Sequence, residues 1–166
     1  MSEQGSTVDV QNEMGYALDE ARLRDAALTT LAQQNAEPHS TLTIAVVDND
    51  TVAGLNQRFR GIDAPTDILS FPSDEPTIFV EDNSVVRYLG DLIIAYPYAS
   101  AQAERLGHAL MDSLALLVAH GTLHLLGFDH DTDENRAAMW TAQANALTAL
   151  GIAPEIAPAL EDSEHE

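Results

Sequence analysis

His120-Gly-Thr-Leu-His-Leu-Leu-Gly-Phe-Asp-His130 gathers three of the chain's six histidines into one short stretch. On a helix, His120 and His124 stand at i and i+4, so both imidazoles leave one face and can reach one metal ion at about 2.0–2.1 Å. Gly127 tolerates the left-handed conformation that ends a helix, letting the chain turn back and bring His130 to the same point. Three protein ligands on tetrahedral zinc leave one position for water, the arrangement of a catalytic rather than a structural site. The competing reading is of separate surface or core histidines. The Leu-rich surroundings and the glycine at the turn favour the metal, so the expectation is one Zn2+ per chain, held by His120, His124 and His130.

The same spacing matches the metzincin peptidase pattern HExxHxxGxxH at every ligand and at the glycine. It departs at one position. A peptidase carries there the Glu that deprotonates water, whereas this chain has Gly121, which has no side chain to act as a base. Hydrolysis of a different substrate remains compatible with the metal.

Working outward, the helix bearing the first two histidines is expected over Met111 to Leu126, with further helices at Leu18 to Gln34, from Asp48 or Asp50 to about Phe59, at Pro97 to Leu106 and at Asp133 to Leu150. Asp131 and Glu134 resemble a capping box for the last of these, and Met139 and Trp140 fit its core face. Strands are expected at Thr7 to Val10, Leu42 to Val47, Ile68 to Phe71 (closed by Pro72) and Leu89 to Ala95, with a loop or irregular hairpin over residues 73 to 87. Strands early and helices late make the class α+β. The 166 residues suffice for one domain that buries roughly 70% of its unfolded surface, leaving any metal free for chemistry. Residues 1–6 are expected to be a flexible start, 7–150 the folded domain and 151–166 an acidic, disordered tail.

Composition removes several classes of function. With no cysteine, thiolate ligands, disulfides and cysteine nucleophiles are excluded, leaving histidine and carboxylate as metal ligands. No apolar run approaches the roughly 20 residues of a membrane span, and the start lacks a basic flank and an apolar core. No membrane association is expected, and a cytoplasmic location is favoured. Asp and Glu number 27 against seven basic residues, all Arg, for a formal net charge of -20. Such a surface repels phosphate backbones at long range, so nucleic-acid binding must rest on local Arg clusters.

One such cluster lies in Leu55-Asn-Gln-Arg-Phe-Arg-Gly-Ile-Asp-Ala-Pro-Thr-Asp-Ile-Leu-Ser-Phe-Pro72. Arg60, just before Gly61, either presents its guanidinium fork to a phosphate or carboxylate or pairs with Asp63 or Asp67. Arg58 is expected to face solvent. Thr66 and Asp67 read as a structural turn, and Ser70 as lining a groove from a strand. In Leu89-Gly-Asp-Leu-Ile-Ile-Ala95, Asp91 has three readings: acceptor for a metal-bound imidazole, partner contact or structural turn. Asp129 is placed to orient a ligand.

Taken together, L-N-x-x-F-R-G-x-D-x-P-T-D-I-L-S-F-P, L-G-D-L-I-I and H-G-T-L-H-L-L-G-F-D-H resemble the YbeY family of bacterial metal-dependent endoribonucleases, in family order and across about residues 42 to 150. The resemblance implies a zincin-like, metalloprotease-related domain with a small mixed sheet packed with helices. It implies zinc-dependent single-strand endoribonuclease activity in maturation of ribosomal RNA, at the 3' end of the small-subunit RNA, and in ribosome quality control. Carried over by position, His120, His124 and His130 are the zinc ligands, Arg60 is the functional arginine and Asp91 a contact to ribosomal partners. Implied partners are the small ribosomal subunit, one of its proteins and the Era GTPase. The alternatives are a nonenzymatic, zinc-stabilised ribosome assembly factor and, last, a zinc peptidase.

Overall fold

A computed structural model describes residues 6–36, 39–81 and 84–154, with the side chains of 74–85 left aside. The elements run β1 (Thr7–Gln11), α1 (Glu20–Gln33), β2 (Ser40–Val47), α2 (Asn49–Arg60), β3 (Ile68–Glu81), β4 (Ser84–Ala95), α3 (Tyr96–Leu106), α4 (Leu110–Leu125) and α5 (Asp133–Ala149). The four strands form one sheet in the order β1-β2-β4-β3. β1, β2 and β4 are mutually parallel and β3 returns antiparallel to β4, so the sheet is mixed and the class is α+β.

β2 alternates buried and half-buried residues along its whole length, which commits one face to a core. Leu42, Ile44 and Val46 from β2, with Leu92 and Ile94 from β4, meet Leu114, Leu117 and Val118 of α4 and Leu23 and Leu31 of α1 there. Each fully buried Leu contributes about 1.5–3 kcal/mol relative to exposure. Twelve of the sixteen residues of α4 are buried, which explains its nearly all-apolar sequence. Among the described residues, no single helix is long and apolar enough to cross a membrane. The opposite face of the sheet is covered locally, where Val52 and Leu55 of α2 pack on Leu69, Phe71, Ile93 and Ala95.

Several boundaries differ from expectation, among them the start of β4, which lies at Ser84 inside the stretch expected as a loop or irregular hairpin. β3 runs through Pro72 instead of ending there, because β3 is an edge strand and proline's missing N–H removes no ladder bond on the open side; the register shifts between Pro72 and Thr77. Thr132, not Asp131, caps α5, its side chain accepting from the Asn135 backbone N–H at 3.0 Å. Ser6 is buried with its hydroxyl accepting from Ser40 N–H, and Ile152 is buried with its N–H on the Leu147 carbonyl. The rest of the expected flexible start and acidic tail, residues 1–5 and 155–166, lies outside the described residues.

Candidate metal centre

α4 delivers the first two histidines and its termination delivers the third. The Phe128 N–H bonds the Leu123 carbonyl and the Gly127 N–H bonds the His124 carbonyl, a Schellman arrangement with Gly127 at φ 104°. The turn carries His130 back over the helix end. One ring nitrogen from each of His120, His124 and His130 lies within 4.8 Å of the other two, the grouping expected. His120 is fully buried and the other two are half-buried. The rings of His120 and His124 meet nearly edge to face, with centroids 4.7 Å apart, and the ring of His130 lies 5.7 and 5.3 Å from them.

The tautomers follow from hydrogen bonds at the opposite nitrogens. His120 Nδ1 lies 2.9 Å from Gln143 Oε1, and His124 Nδ1 lies 2.9 Å from the Phe128 carbonyl. A carbonyl oxygen accepts only from a protonated nitrogen, so each Nδ1 carries the hydrogen and each Nε2 keeps its lone pair. The Nε2 atoms of all three histidines are buried. Three imidazoles whose Nε2 atoms converge, two of them with their rings fixed through Nδ1, fit a divalent cation.

Gln143 was not singled out from the sequence. It is fully buried on α5, and its Nε2 has no hydrogen-bond partner among the described residues. An orphaned buried amide costs about 1–3 kcal/mol. Positioning His120 is a use for a side chain that carries such a cost. Met139 is buried and Trp140 packs partly buried against the core, both as expected, and the Trp140 ring also stands edge-on to His120 and His130 at 5.8 Å each.

The missing acid at position 121 has a steric cause. Gly121 is buried against the sheet, and a Cβ there would lie 2.7 Å from Leu92 Cδ2, 3.1 Å from Ile68 Cδ1 and 3.2 Å from Ser70 Oγ. A side chain at this position requires its neighbours to shift, and a glutamate more so than an alanine.

Arg60 lies on the last turn of α2, closed by Gly61 in the left-handed conformation. Its Nη1 donates to Asn56 Oδ1 at 3.4 Å, while Asn56 Nδ2 donates to the Ala64 carbonyl at 2.9 Å. Asn56, another residue the sequence did not single out, is buried and ties the arginine to the turn leading into β3. A cavity of about 210 Å³ brings Arg60 together with His120, His124 and Ser70. A second cleft of about 620 Å³ shares His124 and Ser70 and adds His130, Asp129 and Asp131. Ser70 thus lines both, as expected of a strand residue at a groove.

Of the other expected residues, Asp67, Asp129, Asp131 and Asp91 hydrogen-bond groups other than the imidazole rings. Asp67 is fully buried, accepting from its neighbour Ile68 N–H at 2.7 Å and from the Thr66 hydroxyl at 3.4 Å, a structural turn. Asp129 is exposed and accepts from the His130 N–H at 2.7 Å, bracing the loop rather than a ring. The Asn135 side-chain amide, donating to Asp131, holds that carboxyl below the ordinary carboxylate range. Arg58 is exposed, its guanidinium 5.9 Å from the Phe59 ring centre. Asp91 points to the face of the sheet away from α4, since its neighbour Leu92 is the residue meeting Gly121. Its carboxylate accepts from the Tyr88 hydroxyl, which lies 3.1 Å from Thr43 Oγ1.

The model of the family described as Endoribonuclease YbeY matches residues 8–151. The chain belongs to this family. Relatives named Endoribonuclease YbeY bear out the membership. One from Roseiflexus sp. (strain RS-1) is 39% identical over 159 residues, covering 93% of this chain and 99% of its own length. One from Acidothermus cellulolyticus is 37% identical over 148 residues, covering 86% and 90%. The YbeY relative from Chloroflexus aurantiacus is 39% identical over 151 residues, covering 90% and 98%. A solution structure of a Thermotoga maritima protein shares the fold, with a TM-score of 0.57, 24% identity and coverage of 96% and 97%. The YbeY resemblance of the three motifs thus extends to nearly the whole chain, and the three-histidine group is compatible with a zincin-like arrangement.

Proposed function

We propose that this chain is a zinc-dependent, single-strand endoribonuclease that matures the 3' end of small-subunit ribosomal RNA and takes part in ribosome quality control in the cytoplasm. The observation that carries the reading is the shared cavity. Arg60 lines it together with two of three histidines that can hold a metal, in a chain whose relatives are named endoribonucleases, and this supports the reading.

Imidazole donors on a three-ligand site suit zinc. When bound, the cation supplies Lewis acidity toward a phosphate oxygen and acidifies water. His120, His124 and His130 hold it, with Gln143 and the Phe128 carbonyl fixing two of the rings. Arg60, steadied by Asn56, binds the phosphate and stabilises the negative charge that builds on it. Ser70, on the wall between the two clefts, offers a hydroxyl to the same phosphate.

The test is RNA cleavage by chelated and zinc-restored protein beside Arg60→Ala. Arg60→Ala at full zinc content is expected to lose about a hundredfold in kcat. A wild-type rate would refute the arginine's role. A cyclic phosphate end would assign the attack to the RNA 2'-hydroxyl, and a simple phosphate end to water.

The net charge of -20 favours a second reading, a nonenzymatic ribosome assembly factor in which the metal only stabilises a surface. Correctly folded, zinc-free His124→Ala that still supported ribosomal RNA maturation in cells would establish it. In either reading the partners are the small ribosomal subunit, one of its proteins and the Era GTPase, with Asp91 on the open face of the sheet as a contact. A partner that delivers the RNA raises its effective concentration at a protein so acidic.

A further inference from the structure

Phe59 is 59% exposed at the end of α2, between Arg58 and Arg60 in sequence. A lone exposed phenylalanine needs no explanation. This one is held in place and borders the cavity of the metal centre. Its ring meets that of Phe71, on β3, in an edge-to-face contact with centroids 5.2 Å apart, and the Arg58 guanidinium stands 5.9 Å from its centre. Phe59, Phe71 and Arg60 line the same 210 Å³ cavity as His120 and His124. An aromatic ring kept in water costs solvation, and this one stands at the cavity that two of the histidines and Arg60 line.

We infer that Phe59, backed by Phe71, is the stacking platform for the nucleobase next to the scissile phosphate of a single-stranded RNA. The inference rests on the endoribonuclease reading and names its substrate contact. Three features select this occupant. First, with net charge -20 the protein does not draw RNA by its overall field, so affinity comes from local contacts, and base stacking on an aromatic ring is a local contact every base can make. Second, Arg58 and Arg60 flank the ring on a helix end, the pairing of stacking surface and phosphate anchor that single-strand binders use. Third, the two clefts differ. The one past His130 is lined by Asp129 and Asp131 and repels a phosphodiester chain, whereas the one at Phe59 carries an arginine and no acid. A base stacked on Phe59 would leave its phosphate between Arg60 and the histidines. A duplex holds its bases inside and cannot make this contact, so the platform selects single strands.

The experiment uses the zinc-loaded full chain, an unstructured oligoribonucleotide with one cleavage site, and copies of it with a single abasic position on either side of that site. Phe59→Ala, Phe59→Leu and Phe59→Trp are compared at matched zinc content and circular dichroism. Phe59→Ala and Phe59→Leu are expected to raise KM about tenfold with kcat changed less than twofold, and Phe59→Trp to keep the wild-type KM. On one of the two abasic substrates, the difference between wild type and Phe59→Ala should disappear. Phe59→Leu keeps an apolar side chain at the helix end, so it reads out stacking even where Phe59→Ala disturbs folding. A wild-type KM for Phe59→Leu, or a difference that persists on both abasic substrates, overturns the platform while leaving the endoribonuclease reading in place. Absence of any RNA cleavage by the zinc-loaded wild type overturns both.

Discussion

Replacing Gly121 by alanine tests the packing that sets the metal-bearing helix against the sheet. In an open helix, alanine is more stable than glycine by about 0.5–1 kcal/mol. At Gly121 the added methyl meets Leu92 Cδ2 at 2.7 Å, a distance that forces a shift, with Ile68 Cδ1 and Ser70 Oγ at 3.1 and 3.2 Å. Leu92 is fully buried and Ile68 nearly so, so neither has free space to yield. Overpacking of this kind costs about 1–3 kcal/mol, which exceeds the gain in helix propensity and leaves a net loss of about 1 kcal/mol. Gly54 is the control. It lies inside α2 with nothing within 4 Å of an added Cβ, so Gly54→Ala is expected to stabilise by about 0.5–1 kcal/mol. The assay is urea unfolding of both variants with zinc present, read as midpoint shifts at constant m. Gly121→Ala as stabilising as Gly54→Ala would refute the close approach of α4 to β3 and β4. Gly121→Glu, which restores the acid of the peptidase pattern, is expected to cost about 3 kcal/mol or more and to yield no peptidase.

Three further outcomes follow from the site and its surroundings. A chelator is expected to lower the melting temperature and zinc to restore it, by the equivalent of about 2.7 kcal/mol at a zinc concentration a hundred times Kd; His124→Ala should show no such response. Gln143→Leu is expected to weaken zinc binding about ten- to hundredfold in competition with a chelator, and Gln143→Glu to keep it, because a carboxylate also accepts from His120 Nδ1; equal affinity for Gln143→Leu would remove its positioning role. Burial, followed by the hydrogen bond to Asp91, raises the Tyr88 hydroxyl above its ordinary value of 10.0. Its contribution to stability is therefore complete below pH 10 and lost as pH rises through the higher folded-state value, because the unfolded chain releases that proton first. Ultraviolet titration should find one tyrosine ionising late and Tyr88→Phe without that phase, and Tyr88→Phe should lose less stability than wild type above pH 10.

The histidine site was legible because it is local. An i,i+4 pair, a glycine that ends the helix and a ligand just beyond are all set by backbone geometry within one stretch, and the structure realises each of them. Helices α1, α4 and α5 were legible from apolar spacing for the same reason. What escaped depends on contacts between distant segments. Gln143 lies on a helix that reaches His120 only after α5 packs on α4, through Leu123, Met139 and Ala142. Asn56 could not be linked to Arg60 and Ala64 without the course of the turn between them. Pro72 read as a strand end because a proline's meaning depends on which side of the sheet its strand occupies. Gly121 read as a lost base, and only the distances to Leu92 and Ile68 show it as a contact point between helix and sheet.

That contact point bears on how long a metal ion stays. His120 and His124 share one helix that packs on β3 and β4, so the core fixes the backbone positions of these two residues relative to each other. His130 stands beyond the helix, held through the Gly127 turn and the Asp129 brace. With an ion bound, the third histidine would be the one freest to swing away, and that short loop rather than the stability of the domain would set the residence time. Loosening the brace by Asp129→Ala would speed metal exchange while leaving the melting temperature of the metal-free protein where it was.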